Sequence, residues 1–306
     1  MKSESLRTWQ LSDFDFDLPD DRIAQQPTQR RSDSRLLVVD DPAKDQQFTD
    51  LLDLLHPGDV LVFNNSKVIP ARLYGIKPTG GKVEILIERI LENQQAVALL
   101  RSSKKIAEKT MLTLESSSGS TAIVLSRYGE TQDRFLLQFD RPVLEILEVD
   151  GEIPLPPYIA HRPDAMDVQR YQTVYAQIPG SVAAPTAGLH FDEPFLQALL
   201  DKGIQRASVT LHVGTGTFAP VRVDQIDQHQ MHSEWCEISA EAAAVINAAK
   251  ARQSRVVAVG TTSLRTLESG VVKDKAAGDP PRVRAGSWET NLFIGPATHF
   301  RLSIAC

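Results

Sequence analysis

The chain has 306 residues, 42% of them hydrophobic, with 33 Lys and Arg against 39 Asp and Glu for a net charge of −6. This is the composition of a globular protein of about two domains; it excludes a uniformly basic nucleic-acid coat, and no run of about 18 apolar residues is present to cross a membrane. Two cysteines, Cys236 and Cys306, make no disulfide framework, and residues 1–11 lack the apolar stretch of an export signal, so a cytoplasmic protein with no membrane partner is expected.

In chain order, Leu18-Pro19-Asp20-Asp21-Arg22-Ile23-Ala24 places a proline and acids at an expected helix start. Residues 35–40 read as a buried strand, 49–55 as a short amphipathic helix with leucines at 51, 52, 54 and 55, and 60–63 as a strand, with His56-Pro57-Gly58 stopping the helix. From 67 to 141 the character changes. Segments 67–74, 82–90, 96–100, 111–114, 122–128 and 134–139 alternate like strands, punctuated by Gly80-Gly81, Asn93, residues 116–120 and Gly129. That spacing predicts a compact antiparallel barrel or sandwich inserted into another domain. After residue 150, strands alternate with helices. A helix over 193–200 carries Asp192 as its cap and Gly203 past its end. A strand over 207–213, an alanine-rich helix over 239–252, a strand over 256–259 and a helix from Leu264 follow. Alternation of this kind predicts a layered α/β domain.

Several stretches bear chemistry. Gly260-Thr261-Thr262-Ser263 joins a strand to a helix, where free N–H groups suit an anion or polar head, although Thr262 or Ser263 as a plain helix cap explains it equally. Leu211-His212-Val213-Gly214-Thr215-Gly216 runs a strand into a Gly-x-Gly loop that permits close backbone approach to a ligand; the alternative is a tight turn. No phosphate-binding loop of the NTPase type occurs. Ala183-Ala184-Pro185-Thr186-Ala187-Gly188-Leu189-His190 is a small-residue stretch ending in a histidine. His229, His232 and Cys236 show His-x2-His-x3-Cys spacing, with His212 as a conceivable fourth zinc ligand. The spacing matches no standard zinc motif, and no metal is expected. A histidine near an acid, as His232 is to Glu234, instead suits proton transfer near neutral pH. Basic residues are scattered: Arg30, Arg31 and Arg35; Lys67 and Arg72; Lys104 and Lys105; Arg162 and Arg170; Arg282 and Arg284. Folded onto one side they would supply phosphate contacts.

A set of segments together resembles one family. These are Asn65-Ser66-Lys67-Val68-Ile69-Pro70-Ala71-Arg72-Leu73, Gly80-Gly81-Lys82-Val83-Glu84, residues 151–158, Arg170-Tyr171-Gln172-Thr173-Val174-Tyr175, residues 180–191 and 211–221, Met231-His232-Ser233-Glu234, and residues 259–268. Their order and spacing, over about residues 12–295, resemble the S-adenosylmethionine:tRNA ribosyltransferase-isomerases of queuosine biosynthesis. The resemblance implies an α/β catalytic domain, residues 1–66 and 142–306, carrying a small antiparallel β-barrel at 67–141. It also implies a reaction: the ribosyl part of S-adenosylmethionine, a co-substrate, moves onto 7-aminomethyl-7-deazaguanine at the wobble position of a tRNA with a GUN anticodon. Epoxyqueuosine-tRNA forms, and adenine and methionine leave. On this resemblance His190, His212, His232 and Glu234 are the acid–base candidates. Thr186, Gly214, Gly216, Thr261, Thr262, Ser263 and Arg265 are candidates for holding substrate, and Lys67 and Arg72 for meeting the tRNA or the co-substrate carboxylate. A monomer is expected.

The resemblance breaks at the end. Family members continue for a few dozen residues past the segment resembling Leu292-Phe293-Ile294-Gly295-Pro296, whereas this chain ends at Cys306, which reads as a shortened C-terminus. Two other functions therefore stand beside the first: a non-catalytic tRNA-binding family member, or an S-adenosylmethionine-dependent methyltransferase supported only by Gly214-Thr215-Gly216. A zinc hydrolase is more distant.

Overall fold

The structure is a computed structural model and describes residues 8–116, 119–129, 132–218, 220–272, 280–296, 298–302 and 304–305. Cys306, residues 1–7 of the polar start and residues 117 and 118 of the expected turn lie outside them.

The chain opens with a hairpin, β1 (Arg35–Val38) and β2 (Lys44–Gln47), then a one-turn helix α1 (Leu51–Leu54), β3 (Val60–Asn64) and β4 (Ser66–Val68). Six strands follow: β5 (Arg72–Ile76), β6 (Lys82–Glu92), β7 (Gln95–Ser102), β8 (Met111–Leu114), β9 (Thr121–Tyr128) and β10 (Arg134–Phe139). They close a barrel in the order β10-β7-β6-β5-β8-β9, every pairing antiparallel. Alternation explains it. In β6 the side chains of Val83, Ile85 and Ile87 are buried while Lys82, Glu84 and Leu86 face out. Closure leaves no barrel edge to pair with another chain. Next, α2 (Val143–Asp150) lays Val143, Ile146 and Leu147 against the barrel core. Leu137 is fully buried in that core. Leu137→Ala is expected to cost about 2–5 kcal/mol of stability, measured as a lower urea midpoint at unchanged slope.

The remainder is layered α/β. It comprises α3 (Ala165–Arg170), β11 (Ile178–Ser181), α4 (Glu193–Asp201), β12 (Gln205–Leu211), β13 (Glu234–Ile238), α5 (Ala240–Ala251), β14 (Val256–Ala258), α6 (Gly260–Ser269), β15 (Gly286–Thr290) and β16 (Ile304–Ala305). Among the described residues six strands form a sheet in the order β15-β13-β12-β3-β14-β16. β3 is central, parallel to both β12 and β14, and every one of its five residues is buried. The reason is two-sided packing. Val60 and Val62 join α5 and α6 on one face, while Leu61 and Phe63 meet Phe195, Leu196 and Leu199 of α4 on the other. A strand covered on both faces needs a continuous apolar run.

Local signals hold where neighbours in sequence decide the geometry. Asp192 caps α4 by accepting from the Phe195 N–H, and Ser239 caps α5 through Ala242 N–H. Five expectations change. The strand expected to be buried over 35–40 spans Arg35–Val38 and leaves Leu37 largely exposed, because it pairs only with β2 in a two-stranded hairpin. Residues 18–24 contain only a three-residue 3-10 turn, Asp20–Arg22, with no buried residue to hold a longer helix. The strand expected over 67–74 is two strands, because β4 pairs with β11 and the barrel begins at Arg72. The strand expected to reach Val213 stops at Leu211. The helix expected from Leu264 starts at Gly260, so Thr261, Thr262 and Ser263 lie in its first turn and none of them caps it.

Candidate active site

Strand direction decides where the chemistry collects. β3, β12 and β14 are parallel, so their carboxyl ends share one edge of the sheet, which is where open α/β sheets bind ligands. Beyond β12 comes His212, and beyond β14 the start of α6; β13, antiparallel to β12, begins at the same edge with Glu234. A buried polar network braces that edge. The Asn64 amide donates to Leu211 O (3.0 Å) and accepts from the N–H groups of Leu211 (3.0 Å) and Ser66 (3.1 Å). The Ser181 hydroxyl accepts from Val213 N–H at 2.9 Å and donates to Ala183 O at 3.0 Å.

Two clefts open there and share Val213 as a wall. The first, about 540 Å3, lies between barrel and sheet. Ile87, Glu88 and Ile90 form its barrel side, and Gly180, His212, Gly214, His232, Glu234 and Trp235 its sheet side. The second, about 420 Å3, is lined by Tyr158, Tyr171, Thr186, Thr217, Thr261 and Thr262 among others. Both volumes suit a small organic molecule.

Glu234 anchors the first cleft. It is 4% exposed. Its Oε1 accepts from Gly214 N–H at 2.9 Å and lies 3.1 Å from His232 Nε2, while Oε2 pairs with the Arg265 guanidinium. Burial favours the neutral acid, but the His232 hydrogen bond, the Arg265 charge and the Gly214 N–H together outweigh it. The carboxyl is held below its ordinary 4.5. Arg265 is itself buried, donating also to Leu292 O at 3.0 Å and Thr290 O at 3.4 Å. The result is a chain from Arg265 through an ionised Glu234 to His232, with His232 on the cleft wall. His212 stacks on Trp235, with centroids 5.0 Å apart and planes 17° from parallel. Burial lowers its pKa below 6.5, so it is neutral at pH 7. Glycines allow both imidazoles their places. A Cβ on Gly216 would lie 2.5 Å from His232 Nδ1, and one on Gly180 would lie 2.8 Å from His212 Cε1.

The lowered carboxyl has a consequence for stability. A group whose pKa falls on folding stabilises the fold fully above its unfolded value, here 4.5, and that contribution is lost as pH falls through the folded value. Acid unfolding of wild type and Glu234→Gln, followed by circular dichroism from pH 7 to pH 3, is expected to show the wild-type advantage shrinking below about pH 4.5.

The sequence candidates therefore divide. His212, Gly214, His232 and Glu234 line the first cleft, with Gly216 behind the His232 ring; Thr186, Thr261 and Thr262 line the second. Arg265 stands behind Glu234 rather than on a cleft wall. Ser263 is wholly buried, lines neither cleft, and its hydroxyl has no partner among the described residues. His190 lies elsewhere, its Nδ1 2.9 Å from Ser34 Oγ, with its pKa lowered by burial and then by Arg31. Arg72 pairs with Glu84 at 3.0 Å on the barrel. Lys67 is exposed on β4, in register with Pro179, which lines the first cleft. The His-x2-His-x3-Cys residues do not converge. His229 packs on Phe293, His232 on Glu234, and Cys236 is buried in the sheet with its thiol pushed up to about 11. Among the described residues no group of three or more His, Cys, Asp or Glu is placed to hold a metal.

Sequence inspection missed Glu88. It is the unpaired residue of a β-bulge in β6, between Ile87 and Arg89 of the β6–β7 register, a device that re-aims a side chain. Glu88 accepts from Thr215 Oγ1 at 2.5 Å and Arg134 Nε at 2.8 Å, tying the barrel to the loop behind His232. Trp235 and Glu289 of the cleft were missed as well; an acid or aromatic in an alternating strand carries no local mark of function.

The family model described as "Queuosine biosynthesis protein" matches residues 11–304. The chain is 50% identical over 296 residues to the S-adenosylmethionine:tRNA ribosyltransferase-isomerase of Ralstonia pickettii, an alignment covering 95% of this chain and 79% of that relative. It is 49% identical over 297 residues to the enzyme of the same name from Ralstonia nicotianae, covering 95% and 80%. Among solved structures it is similar to the S-adenosylmethionine tRNA ribosyltransferase of Thermotoga maritima, at 29% identity and a TM-score of 0.44, covering 95% of this chain and 81% of that one.

Proposed function

This chain belongs to the queuosine biosynthesis protein family as an enzyme of the ribosyltransferase-isomerase type, and we propose that it moves the ribosyl group of S-adenosylmethionine onto 7-aminomethyl-7-deazaguanine in the wobble position of tRNA. In this reaction a base takes a proton from ribose C5′, which the neighbouring sulfonium acidifies. Adenine then leaves C1′ with a proton, the aminomethyl nitrogen of the deazaguanine attacks C1′, and the C1′–O4′ bond breaks. The C5′ carbanion closes onto C1′, and the freed O4′ attacks C5′ to form the epoxide and expel methionine.

The observation that carries this is the pairing of His232 with an ionised Glu234 on the wall of a cleft that also holds a neutral His212. Two imidazoles on one cleft wall are placed to serve as a base for C5′ and an acid for departing adenine. Glu234 orients His232 through that hydrogen bond. In the second cleft no side chain caps α6, so the N–H groups of its first turn, with Thr261 and Thr262, are available for polar groups of the co-substrate. Because Val213 walls both clefts, a co-substrate lying across it keeps its polar end at α6 and presents its ribose to the histidines.

The test incubates the protein with S-adenosylmethionine, with and without tRNA carrying 7-aminomethyl-7-deazaguanine. Adenine is assayed, and the digested tRNA is examined by mass spectrometry. Adenine that depends on the modified tRNA, together with an epoxyqueuosine nucleoside, is the expected result. S-adenosylhomocysteine as product would instead establish methyl transfer, and tRNA binding without adenine release would establish a non-catalytic binder.

A further inference from the structure

A third hollow, about 590 Å3, lies on the outside of the barrel where the β5–β6 hairpin meets the end of β7. Tyr74, Lys82, Glu84, Arg101, Glu115 and Arg162 are among its lining residues. Most other arginines singled out by sequence are already engaged. Arg31 and Arg170 donate to backbone carbonyls, Arg35 pairs with Asp45, and Arg284 covers Trp288. Lys82 and Arg101, by contrast, are exposed and form no ion pair among the described residues, as do Lys104 and Lys105 just past β7. Glu84 in the hollow is already neutralised by Arg72 at 3.0 Å. Arg162 lies over the Tyr74 ring at 4.6 Å and reaches Glu152 only at 3.9 Å.

Beside the hollow sits an independent anomaly. Lys77 is 7% exposed, and its ammonium has no carboxylate partner among the described residues. Among the described residues it donates only to Ser102 Oγ at 2.8 Å and Lys104 O at 3.3 Å, which leaves a third N–H free of a described partner. A buried charge of this kind is costly unless a counter-charge approaches. Ser102, which holds Lys77, lines the hollow. The protein as a whole is acidic, with net charge −6, so a local excess of unpaired cations over a buried ammonium marks a place for an anion.

We propose that this hollow binds the phosphodiester backbone of the tRNA, beside the anticodon; the inference rests on the function proposed above. β6 links the two places. Lys82 and Glu84 line or border the hollow, and Glu88 of the same strand lines the first cleft. At about 3.3 Å per residue the six steps from Lys82 to Glu88 span roughly 20 Å. That is less than one turn of a nucleic-acid duplex, about 34 Å, so one stem-loop reaches both.

The test measures binding of fluorescently labelled tRNA by anisotropy from 50 to 200 mM salt, for wild type and for the double variant Lys82→Ala/Arg101→Ala, and adenine release by both. Loss of two phosphate contacts is expected to weaken binding about tenfold and to make the plot of log affinity against log salt shallower by about 1.5–2. KM for tRNA rises while kcat at saturating tRNA stays the same. Wild type that binds and releases adenine, with a variant of unchanged salt slope, overturns the hollow as a tRNA site and leaves the proposed function standing. A weakened variant with an unchanged slope overturns it too, since the loss is then not electrostatic. Wild type that binds no tRNA overturns both.

Discussion

Glu234→Gln is expected to lower kcat/KM for adenine release by about 10²- to 10⁴-fold, the range for losing a positioned acid–base group. The amide keeps the volume of the carboxyl but removes the charge that the Arg265 guanidinium and His232 both contact. His232 then loses the carboxylate that positions its ring, so the rate falls through lost alignment. Glu234→Ala goes further. Both variants leave Arg265 buried without a carboxylate, which costs about 3–5 kcal/mol when one member of a buried pair is removed, and alanine also removes the oxygens that accept from Arg265 and Gly214. Comparing the two variants by steady-state kinetics and urea unfolding separates the roles. Both should lower stability, alanine the more, and both should lose the chemistry that needs the charge. A glutamine variant with wild-type turnover would remove Glu234 from the mechanism.

Gly216→Ala is expected to reduce kcat/KM by about 10²-fold, since a displacement near 1 Å of a reacting group costs that much. The added methyl would stand 2.5 Å from His232 Nδ1 and 2.6 Å from Cε1, so the ring must move off its Glu234 partner. The informative comparison is with Gly214→Ala, where the nearest atom to a new Cβ is Glu234 Oε1 at 3.9 Å, an ordinary contact. If both substitutions lower activity equally, displacement of the His232 ring is not the cause.

The sequence by itself determined the larger plan: an α/β layered fold interrupted by a small antiparallel β-barrel, the cap at Asp192, and the run of family motifs. It did so because alternation, caps and glycine turns are set by residues a few positions apart. Even there, the helix at 18–24 shrank to a 3-10 turn for want of an apolar face to bury, and α6 began four residues early, at Gly260. What only the tertiary structure decided is the site. Glu234 meets Gly214 across 20 residues and Arg265 across 31, and Glu88 meets Thr215 across 127. Arg265, expected at the substrate, is instead the buried counter-charge of Glu234, and His190, grouped with the other histidines by type, lies outside both clefts. Such meetings depend on which strands run parallel, on register and on one bulge in β6. No local pattern carries that information, because a hydrogen bond between distant residues exists only once the chain has brought their strands to one edge.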